Sequence, residues 1–420
     1  MRENDVIVIG AGLAGLMAAA VAVQGGKKVM VLSLGAGTLT IGGGIIDVLG
    51  YADGGKPVAT PSAGLLQVGP DHPYKKIGRQ AIEESIRFFK EICAAEGYPY
   101  IGSLHETQWI PTAAGTLKPT CLVPKTMDTT QLKAADHVVV LGFTALKDFY
   151  PHLITENLGK ISGFSNKSFE MMMVDPELSD GRDVTALDVA RWLDTPEGLK
   201  DCTEKMRKLI KPGSVVIIPP VLGTRPDYAV ADSLEQALQC TLVETAAVPP
   251  SITGLRLQTM MVAYLKKLGV RFVEQALVGR SIVENGKCTA VVTAGIDRER
   301  TYYGKAFILA NGGFYGGGLM AEPGHVIEPI FNLPVFAPSD HELWANENLF
   351  SNTPQPFAKI GINVDEKMRP LDADGQVALD NVFVIGRNLQ GYDFCFEKSG
   401  NGVALASGYQ AAMSVHGEGN

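Results

Sequence analysis

The sequence predicts an α/β fold organised around a parallel sheet, and the first 32 residues carry the clearest evidence. Residues 5–9 form a short apolar strand that runs directly into GAGLAG at residues 10–15. Residues 13–24 are rich in alanine and helical in character, and valines and leucines resume at residues 29–32. A strand, a glycine-rich turn, a helix and a second strand in this order form a βαβ unit, which places parallel strands side by side.

The spacing of Gly10, Gly12 and Gly15 predicts that this turn holds a dinucleotide pyrophosphate. Gly10 permits the tight turn, Gly12 lets the backbone approach the phosphates, and Gly15 lets helix and strand pack closely. An acidic residue about 20 residues further on usually binds the adenosine ribose. Here the second strand ends in Ser33, which has no carboxylate. We therefore expect the adenosine half to be held differently or to be missing.

Length and composition indicate a globular protein of two domains. The chain has 420 residues, of which 46% are hydrophobic and 20% are charged. A net charge of −8 argues against a nucleic-acid surface. No stretch approaches the ~20 apolar residues that span a bilayer, so we expect no direct membrane insertion. The first strand begins close to residue 1, so we also expect no signal peptide.

The six cysteines are scattered and include no C-x-x-C pair or cysteine–histidine cluster. This pattern argues against a zinc or iron–sulfur site in the chain, so we predict no metal. Free, mostly buried thiols are typical of proteins in a reducing cytosol, and we expect a cytoplasmic location.

The strand pattern predicts an insertion. Residues 76–250 have their own β-runs at 137–141 and 214–218, and we predict that they form an α/β cap domain. Residues 1–75 and 251–420 would then form one discontinuous nucleotide-binding domain.

Local signals place several elements more closely. Residues 78–96 and 252–268 show apolar residues at helical spacing. Asp183 is a candidate N-cap for the helix that follows it. The sequence Glu284-Asn285-Gly286 predicts a hairpin turn.

Two further glycine-rich segments are candidate ligand contacts. Gly43 and Gly44 lie in a segment with little side-chain bulk, which suits a flat ligand lying against the main chain; an ordinary glycine loop is the alternative. A predicted strand over residues 302–310 ends near Gly312, which we also place at the ligand.

The C-terminal region predicts a second anion site. A strand over residues 381–385 ends at Gly386, and a helix of small residues begins at Gly402, just after Gly400. A nucleotide fingerprint at one end of the chain and this site at the other indicate a flavin stretched between them. The alternative is a second structural βα corner. The predicted fold class is thus a Rossmann-like two-dinucleotide-binding flavoprotein fold with an inserted α/β cap domain.

Longer motifs carry a family resemblance. The segments VIGAGLAG, TIGGGIID, LANGG and NVFVIGRNLQGYDFCFEKSGNGVALASGYQAA resemble the fumarate-reductase-type flavoproteins. The segments DHPY, PTAAGTLKPT, VPPSITGLRLQ and ANGGFYGGGL resemble the B subunit of the anaerobic glycerol-3-phosphate dehydrogenases. This second resemblance runs nearly from end to end of the chain.

The resemblance implies one subunit of a glycerol-3-phosphate:quinone oxidoreductase of anaerobic respiration, which oxidises sn-glycerol 3-phosphate to dihydroxyacetone phosphate. It implies FMN as the cofactor, with FAD as the alternative, because Ser33 and Arg387 stand where the wider flavoprotein pattern has acidic residues. The implied partners are an FAD-bearing subunit together with an iron–sulfur subunit, the latter attaching the complex to the inner face of the cell membrane. Two alternatives are a non-catalytic subunit for electron relay and assembly, and a free-standing fumarate-reductase-like oxidoreductase.

Oxidising a phosphorylated alcohol requires cations for the phosphate and a base for the hydroxyl proton. Arg256 is the first candidate for the phosphate or a flavin anion, with an ion-paired arginine as the alternative. Lys118 and Arg387 are further candidate cations. His72 and His105 are candidate bases, with a capping or core histidine as the alternative for each.

Overall fold

The computed structural model describes residues 3–178, 181–295, 298–348 and 353–417. The chain divides into two compact units. The first unit consists of Met1–Gly37, Asp47–Glu91 and Met261–Asn420, and the second consists of Thr38–Ile46 and Ile92–Met260. From the sequence we predicted domain boundaries after residues 75 and 250. The boundaries between the two units instead fall within the helices Arg79–Ala95 and Ile252–Lys267, and the segment Thr38–Ile46 also belongs to the second unit.

The first unit is built on a mixed sheet of seven strands. Its parallel part has the order Arg271–Val273, Val29–Leu32, Asn4–Ile9, Arg300–Leu309 and Val382–Val384. The start of Arg300–Leu309 pairs in the antiparallel sense with Lys287–Ala294, which pairs in turn with Leu277–Glu284. The central strands are buried along nearly their whole length, as is typical of parallel strands covered on both faces.

Two long apolar helices belong to this unit. We call Leu13–Gln24 the N-terminal helix and Gly400–Gly417 the C-terminal helix. Both consist largely of small residues and are buried over most of their surface, so neither has a distinct polar face. The C-terminal helix begins at Gly400, two residues before the predicted start at Gly402.

These two helices pack against each other in parallel. A Cβ atom on Gly408 would lie 2.6 Å from the carbonyl oxygen of Ala14. Two turns later, the ring of His416 occupies the place where Gly25 would carry a Cβ atom. Because residue numbers increase together along the contact, both N-termini point in the same direction.

Most of the other regular elements of the first unit are short. Asn285 and Gly286 both have positive φ, 51° and 74°, which confirms the predicted hairpin turn. The remaining α-helices are Pro61–Leu65, Pro73–Ile77 and Gly313–Gly316, and the longer helix Arg79–Ala95 continues into the second unit. A short 3-10 helix lies at Gly386–Asn388. The remaining strand pairs are Tyr51–Ala52 with Lys56–Pro57 and Met320–Glu322 with His325–Ile327.

The second unit has a parallel sheet of four strands in the order Ser168–Val174, His137–Phe143, Val215–Ile218 and Thr241–Glu244. Two antiparallel pairs accompany it, Tyr100–Ile101 with Val123–Pro124 and Gln108–Pro111 with Leu117–Thr120. Its α-helices are Thr130–Ala134, Pro151–Leu158, Ala186–Leu193, Pro196–Arg207 and Ala229–Leu238, and Ile252–Lys267 continues into the first unit.

The helix Ala186–Leu193 corrects one local prediction. Its N-cap is Thr185 rather than Asp183, because the Thr185 side chain accepts from the Asp188 N–H group and the Asp188 carboxylate accepts from the Thr185 N–H group. Asp183 instead forms an ion pair with Lys147 on the surface.

Across the described ranges, no helix combines the length and the apolar character that crossing a bilayer requires.

Candidate functional site

The first glycine turn has the close packing that its spacing predicted. Gly10 has φ +115°, and a Cβ atom there would lie 2.3 Å from the carbonyl oxygen of Ala310. A Cβ atom on Gly15 would lie 2.1 Å from the carbonyl oxygen of Gly10. Only glycine fits at either position, so both residues fix the geometry of the turn.

Gly12 differs from Gly10 and Gly15 because, among the described residues other than its chain neighbours, no atom lies within 4 Å of where its Cβ would be. It is the N-cap of the N-terminal helix, no side chain caps this helix, and its first turn has no acidic residue. The first N–H groups of a helix have no partners within it, and they carry the positive end of the helix dipole. Open space next to such groups is what a phosphate requires.

Residues 385–399, which join the strand Val382–Val384 to the C-terminal helix and which we call the C-terminal loop, reach the same turn. Gly386 has φ +65°, and its Cβ would lie 3.0 Å from the Cβ of Ala14. Its N–H group donates to Ser407 Oγ at 3.0 Å, which ties the loop to the C-terminal helix. The predicted approach of the two ends of the chain is therefore present within the first unit.

The start of the C-terminal helix is less open. The N–H group of Gly402 donates to Asp47 O at 2.8 Å, and a Cβ atom would lie 2.4 Å from the Tyr74 hydroxyl. A Cβ atom on Gly400 would lie 3.2 Å from Phe394 Cβ. Packing alone thus accounts for Gly402, and Gly400 remains a candidate ligand contact.

Two residues that the sequence analysis missed hold the end of the strand Arg300–Leu309. The side chain of Asn388 is fully buried, accepts from Gly313 N–H at 2.9 Å and donates to Leu309 O at 3.2 Å. A Cβ atom on Gly313 would lie 2.5 Å from Arg387 O, whereas one on Gly312 would meet nothing closer than 3.6 Å. The pair Gly312-Gly313 at the strand end could have predicted the role of Gly313. The polar Asn388, two residues after Gly386, could have predicted a hydrogen bond to the backbone.

Ser33 is buried at the end of the strand Val29–Leu32. Its N–H group donates to Val273 O, and its carbonyl accepts from Ala276 N–H. The backbone of Ser33 thus extends the sheet, and the side chain offers a hydroxyl where many nucleotide-binding folds have a carboxylate.

Gly43 and Gly44 lie in the second unit, where backbone packing accounts for one of them. Thr253 Oγ1 donates to Gly43 O at 2.7 Å, and Tyr100 donates its hydroxyl to Gly44 O at 2.5 Å. Gly44 has φ +64°, and a Cβ atom there would lie 2.4 Å from the Thr253 carbonyl carbon. Gly44 therefore allows this loop to approach the start of the helix Ile252–Lys267.

Arg256 has a different place from the one expected of a phosphate ligand. It is 1% exposed, its guanidinium forms a bidentate ion pair with fully buried Glu244 at 2.7 and 2.9 Å, and its Nε donates to Gly223 O. Burial disfavours the charged form, but the Glu244 carboxylate raises the pKa of Arg256 above its ordinary value. This corrects the prediction, because the donors of Arg256 are used inside the second unit.

The other two candidate cations differ in setting. Lys118 is half-buried on the strand Leu117–Thr120 of the second unit, opposite Ile110. Arg387, in the first unit, stacks its guanidinium on the rings of Phe394 at 4.3 Å and Tyr315 at 5.3 Å. Among the described residues, Arg387 has no carboxylate partner.

His72 is buried and caps the short helix Pro73–Ile77, its Nδ1 accepting from Tyr74 N–H at 3.1 Å. Its Nε2 lies 3.4 Å from a Glu397 carboxylate oxygen. His105 is exposed in a turn of the second unit, where its N–H group donates to Ser103 Oγ.

Within the described part of the chain, no three His, Cys, Asp or Glu side chains are grouped so that they could hold a metal ion. The six cysteines are free thiols, four of them buried. Burial raises the pKa of Cys202, Cys240 and Cys288 to about 12, so these thiols stay protonated at neutral pH.

Comparison with known proteins identifies the family of this chain. The sequence profile of the FAD binding domain matches residues 5–403. The B subunit of anaerobic glycerol-3-phosphate dehydrogenase from Vibrio vulnificus is 30% identical over 438 residues, which cover 100% of this chain and 99% of that protein. The chain belongs to the FAD binding domain family and, within it, to the family of B subunits of anaerobic glycerol-3-phosphate dehydrogenases.

Other relatives agree with this membership. The proteins of the same name from Vibrio cholerae and Yersinia enterocolitica are each 28% identical, over 99% and 98% of this chain and 97% of each relative. Membership confirms the predicted α/β flavoprotein fold class. It also supports FAD, which was the alternative, and gives no support to the FMN that the resemblance implied.

Solved structures show weaker likeness. A 3-ketosteroid Δ1-dehydrogenase from Sterolibacterium denitrificans is 11% identical, with a TM-score of 0.47 and coverage of 100% of both chains. A flavocytochrome c3 fumarate reductase is 10% identical, with a TM-score of 0.42 and coverage of 99% of this chain and 78% of that one. Likeness at this level carries nothing further about the site.

The residues of the first unit fit the FAD that the family implies. The open space at Gly12 and the uncapped N–H groups of the N-terminal helix suit the pyrophosphate. The C-terminal loop lies against the first turn of that helix through Gly386, and Arg387 supplies a nearby positive charge.

Proposed function

We propose that this protein is the FAD-dependent B subunit of an anaerobic glycerol-3-phosphate dehydrogenase and that it takes part in oxidising sn-glycerol 3-phosphate to dihydroxyacetone phosphate. The electrons would pass to a quinone through other subunits of the complex. The observation that carries the proposal is the convergence of the bare helix start at Gly12 with the C-terminal loop at Gly386, in a full-length relative of proteins with that name.

The chain's own residues have distinct parts in this proposal. The N–H groups that follow Gly12 bind the pyrophosphate, and Gly10 and Gly15 hold the turn in shape. Arg387 holds a positive charge beside Gly386, where it can bind a phosphate or a reduced cofactor. When bound, FAD supplies the acceptor for the two electrons that the alcohol loses. Gly43, Gly312, Gly400 and Lys118 stay as proposed contacts.

The partners and the location are part of the same proposal. An FAD-bearing flavoprotein and an iron–sulfur protein would complete the complex, and the iron–sulfur protein would attach it to the inner face of the cell membrane from the cytoplasm. We further propose that the first unit binds the cofactor and that the second serves as a cap or partner-binding region.

A second candidate function is electron relay and assembly without substrate oxidation. It is favoured by the internal ion pair of Arg256 with Glu244, which removes the first candidate for a phosphate clamp. Substrate oxidation would then occur in the FAD-bearing partner flavoprotein.

The first experiment identifies the cofactor. The purified chain is denatured, and its chromophore is treated with phosphodiesterase, which converts FAD to FMN and leaves FMN unchanged. We expect FAD. A protein that stays colourless even when it is co-expressed with its partners would overturn the proposal.

The second experiment tests the helix start. Gly12→Ala should lower the FAD content sharply, because the new Cβ would occupy the open space beside the N–H groups, and should destabilise the apoprotein by at most about 1 kcal/mol. Gly279→Ala is the matched control, since Gly279 also has open space at its Cβ but lies on the strand Leu277–Glu284. Equal FAD content in both variants would contradict the proposed site.

The third experiment separates the two candidate functions. The FAD-loaded chain is mixed with sn-glycerol 3-phosphate and an artificial electron acceptor, alone and together with the FAD-bearing partner flavoprotein. Turnover by the chain alone supports substrate oxidation here. Turnover only with that partner supports the relay.

A further inference from the structure

The four-stranded sheet of the second unit ends in a long apolar strand. Ser168–Val174, which we call the edge strand, pairs along its whole length with His137–Phe143, and among the described residues no strand pairs with its other side. Two of its apolar side chains face solvent, since Met171 is 49% exposed and Met173 is 39% exposed. An exposed apolar edge strand is a template on which a strand of another chain can pair.

Two hydrogen bonds at the ends of the edge strand fix the direction of its main chain. The N–H group of Ser168 donates to Asp136 O at 2.9 Å, and the carbonyl of Val174 accepts from Thr144 N–H at 2.9 Å. Successive residues of a strand direct their main-chain groups to opposite sides, and in a parallel pair every second residue bonds to the neighbouring strand. The even-numbered residues of the edge strand therefore bond within the sheet. The odd-numbered ones direct their N–H and C=O groups outward.

The three odd-numbered residues are Phe169, Met171 and Met173. Within the described ranges, no loop or cap hydrogen bond uses their main-chain groups. Their side chains lie on one face of the sheet, because alternate residues of a strand share a face. The same three residues thus offer both free main-chain groups and an apolar side-chain surface to a partner strand.

The other outer strands of the two sheets are blocked in ways that the edge strand is not. Leu277–Glu284 has two irregularities in its pairing register, Arg271–Val273 is only three residues long, and Thr241–Glu244 is largely buried. Bulges, short length and coverage each prevent pairing between edges. The edge strand is seven residues long and regularly paired, and its only charged side chain is that of Glu170.

The sequence of the edge strand is complementary to itself in the antiparallel sense. A twofold axis through Met171 would set Met171 opposite its own copy and Phe169 opposite Met173, on both sides of the axis. Each of these three pairs could exchange two main-chain hydrogen bonds. A shift by two residues in either direction would instead set one of the three residues opposite Lys167 or Asp175, which lie outside the edge strand. The centred register is therefore the one that uses all the outward groups.

The charges at the two ends of the edge strand match in this register. Lys167 precedes the strand and would lie opposite Asp175 of the second copy, an exposed carboxylate that follows the strand. The Lys167 ammonium group donates to two main-chain carbonyl oxygens of its own chain, and no described carboxylate forms an ion pair with it. Glu170 would lie opposite Met172, so no like charges would be directly opposed. Opposite charges across a strand pair are stabilising, and like charges are destabilising.

We propose that two copies of this chain associate through the edge strand, antiparallel and centred on Met171. Their two sheets of four strands then form one continuous sheet. The contact is isologous, because each copy contributes the same residues. The self-complementary register and end charges favour a second copy of this chain over an unrelated strand. The association requires no cofactor and is independent of the proposed function.

The first test is sedimentation velocity of the purified full-length protein over a series of concentrations. We expect a dimer of about 90 kDa, twice the 44.8 kDa of one chain, that dissociates on dilution. Met171→Lys sets two ammonium groups opposite each other on the axis and should raise the dissociation constant at least about tenfold. Met413→Lys is the matched control, since Met413 is 44% exposed on the C-terminal helix, and it should change the dissociation constant by less than about twofold.

A second test examines the register. Met171→Cys would place two thiols on the twofold axis, on Cα atoms about 5.5 Å apart, which is within the span of a disulfide. Mild oxidation with diamide should therefore join two copies of this variant. Met413→Cys should give no more cross-linked dimer than the wild type, whose own exposed Cys395 sets the background.

Three outcomes would overturn the proposal. The first is a wild-type protein that stays monomeric at every concentration. The second is a dimer that Met171→Lys leaves as stable as before, while the unfolding midpoint of the variant shows that it is folded. The third is a wild-type chain that pairs only with a different protein and loses this pairing in Met171→Lys, which would assign the edge strand to that protein instead of a second copy.

Discussion

The two units of this protein share an α/β design, but the N-terminal helix of the first unit and two successive helices of the second differ in how their first N–H groups are satisfied. In the first unit, the N-terminal helix begins at a bare glycine that no side chain caps. In the second unit, Thr185 and Thr195 cap successive helices, and Glu244 and Arg256 satisfy each other in the interior. Uncapped N–H groups are available to an outside ligand, whereas capped groups are not. The comparison indicates that the start of the N-terminal helix is free to receive a ligand, whereas the helix starts at Thr185 and Thr195 are satisfied by their own side chains.

The largest effect should come from breaking the buried ion pair of the second unit. Arg256→Met leaves the Glu244 carboxylate buried without a cation, with only Thr126 Oγ1 and Leu222 N–H still donating to it among the described contacts. We expect the change to lower the free energy of unfolding by about 3–5 kcal/mol. Urea denaturation measures this loss. The double variant Arg256→Met/Glu244→Leu should recover most of it, because no charge is left buried. A single variant with normal stability but a raised KM for glycerol 3-phosphate would restore Arg256 as a phosphate ligand.

A smaller effect should follow in the first unit from Ser407→Ala. Ser407 accepts from the buried N–H group of Gly386, and losing this acceptor should cost about 1–3 kcal/mol. FAD content should fall as well, because Gly386 ties the C-terminal loop to the first glycine turn. Ser414→Ala is the control on the same helix, since the Ser414 hydroxyl donates to Gln410 O within that helix. Equal FAD content in the two variants would show that the loop is held by other contacts.

Removing a helix cap in the second unit should lower the free energy of unfolding by a still smaller amount. Thr185→Ala deletes half of a capping box and should cost about 1 kcal/mol. Hydrogen exchange should quicken in the first turn of the helix Ala186–Leu193, while the FAD content stays at the wild-type level. Loss of FAD from this variant would contradict the comparison of the two units, because it would show that the second unit also contributes to the cofactor site.

The smallest expected effects concern pH, and they have opposite signs in the two units. In the second unit, Arg182 and then the Thr185 N–H and hydroxyl groups hold the pKa of Asp188 below its ordinary value of 3.8. The stability that this group contributes is therefore present above pH 3.8 and is lost as the pH falls through its lowered pKa. In the first unit, burial raises the pKa of Glu328 above 4.5, so its contribution is complete below pH 4.5 and is lost as the pH rises through the raised value.

Urea unfolding midpoints measured across the acidic range check both signs. Asp188→Asn should reduce the fall of the unfolding midpoint at acidic pH. Glu328→Gln should reduce the fall of the midpoint as the pH rises above 4.5. The reverse assignment of the two slopes would contradict the electrostatic account of both groups.

Local sequence patterns were enough to predict a large part of the fold. The first βαβ unit, the hairpin at Asn285-Gly286 and the helix found at Arg79–Ala95 follow from periodicity and turn chemistry within a few residues. The cap of the helix Ala186–Leu193 was misplaced by two residues, because two polar residues compete for that position and only the chain path decides between them.

Some residues of the candidate site were likewise predictable from local sequence, and others were not. The roles of Gly10 and Gly15 in tight packing were predictable, since the spacing of the fingerprint already implies a tight turn. The roles of Asn388 and Ser407 were not, because each binds the backbone of a residue far along the chain or on another element. Arg256 was misjudged for the same reason, since Glu244 lies on a different strand.

The sequence by itself determined that this protein has a glycine turn fit for a nucleotide at its start, a second glycine site near its end and a full-length resemblance to one flavoprotein family. These features depend on neighbouring residues, whose spacing is written in the chain. Only the tertiary structure decided that Gly386 meets Ala14 and that Arg256 pairs with Glu244. Such contacts join residues distant in sequence, and their partners are set by how the whole chain packs.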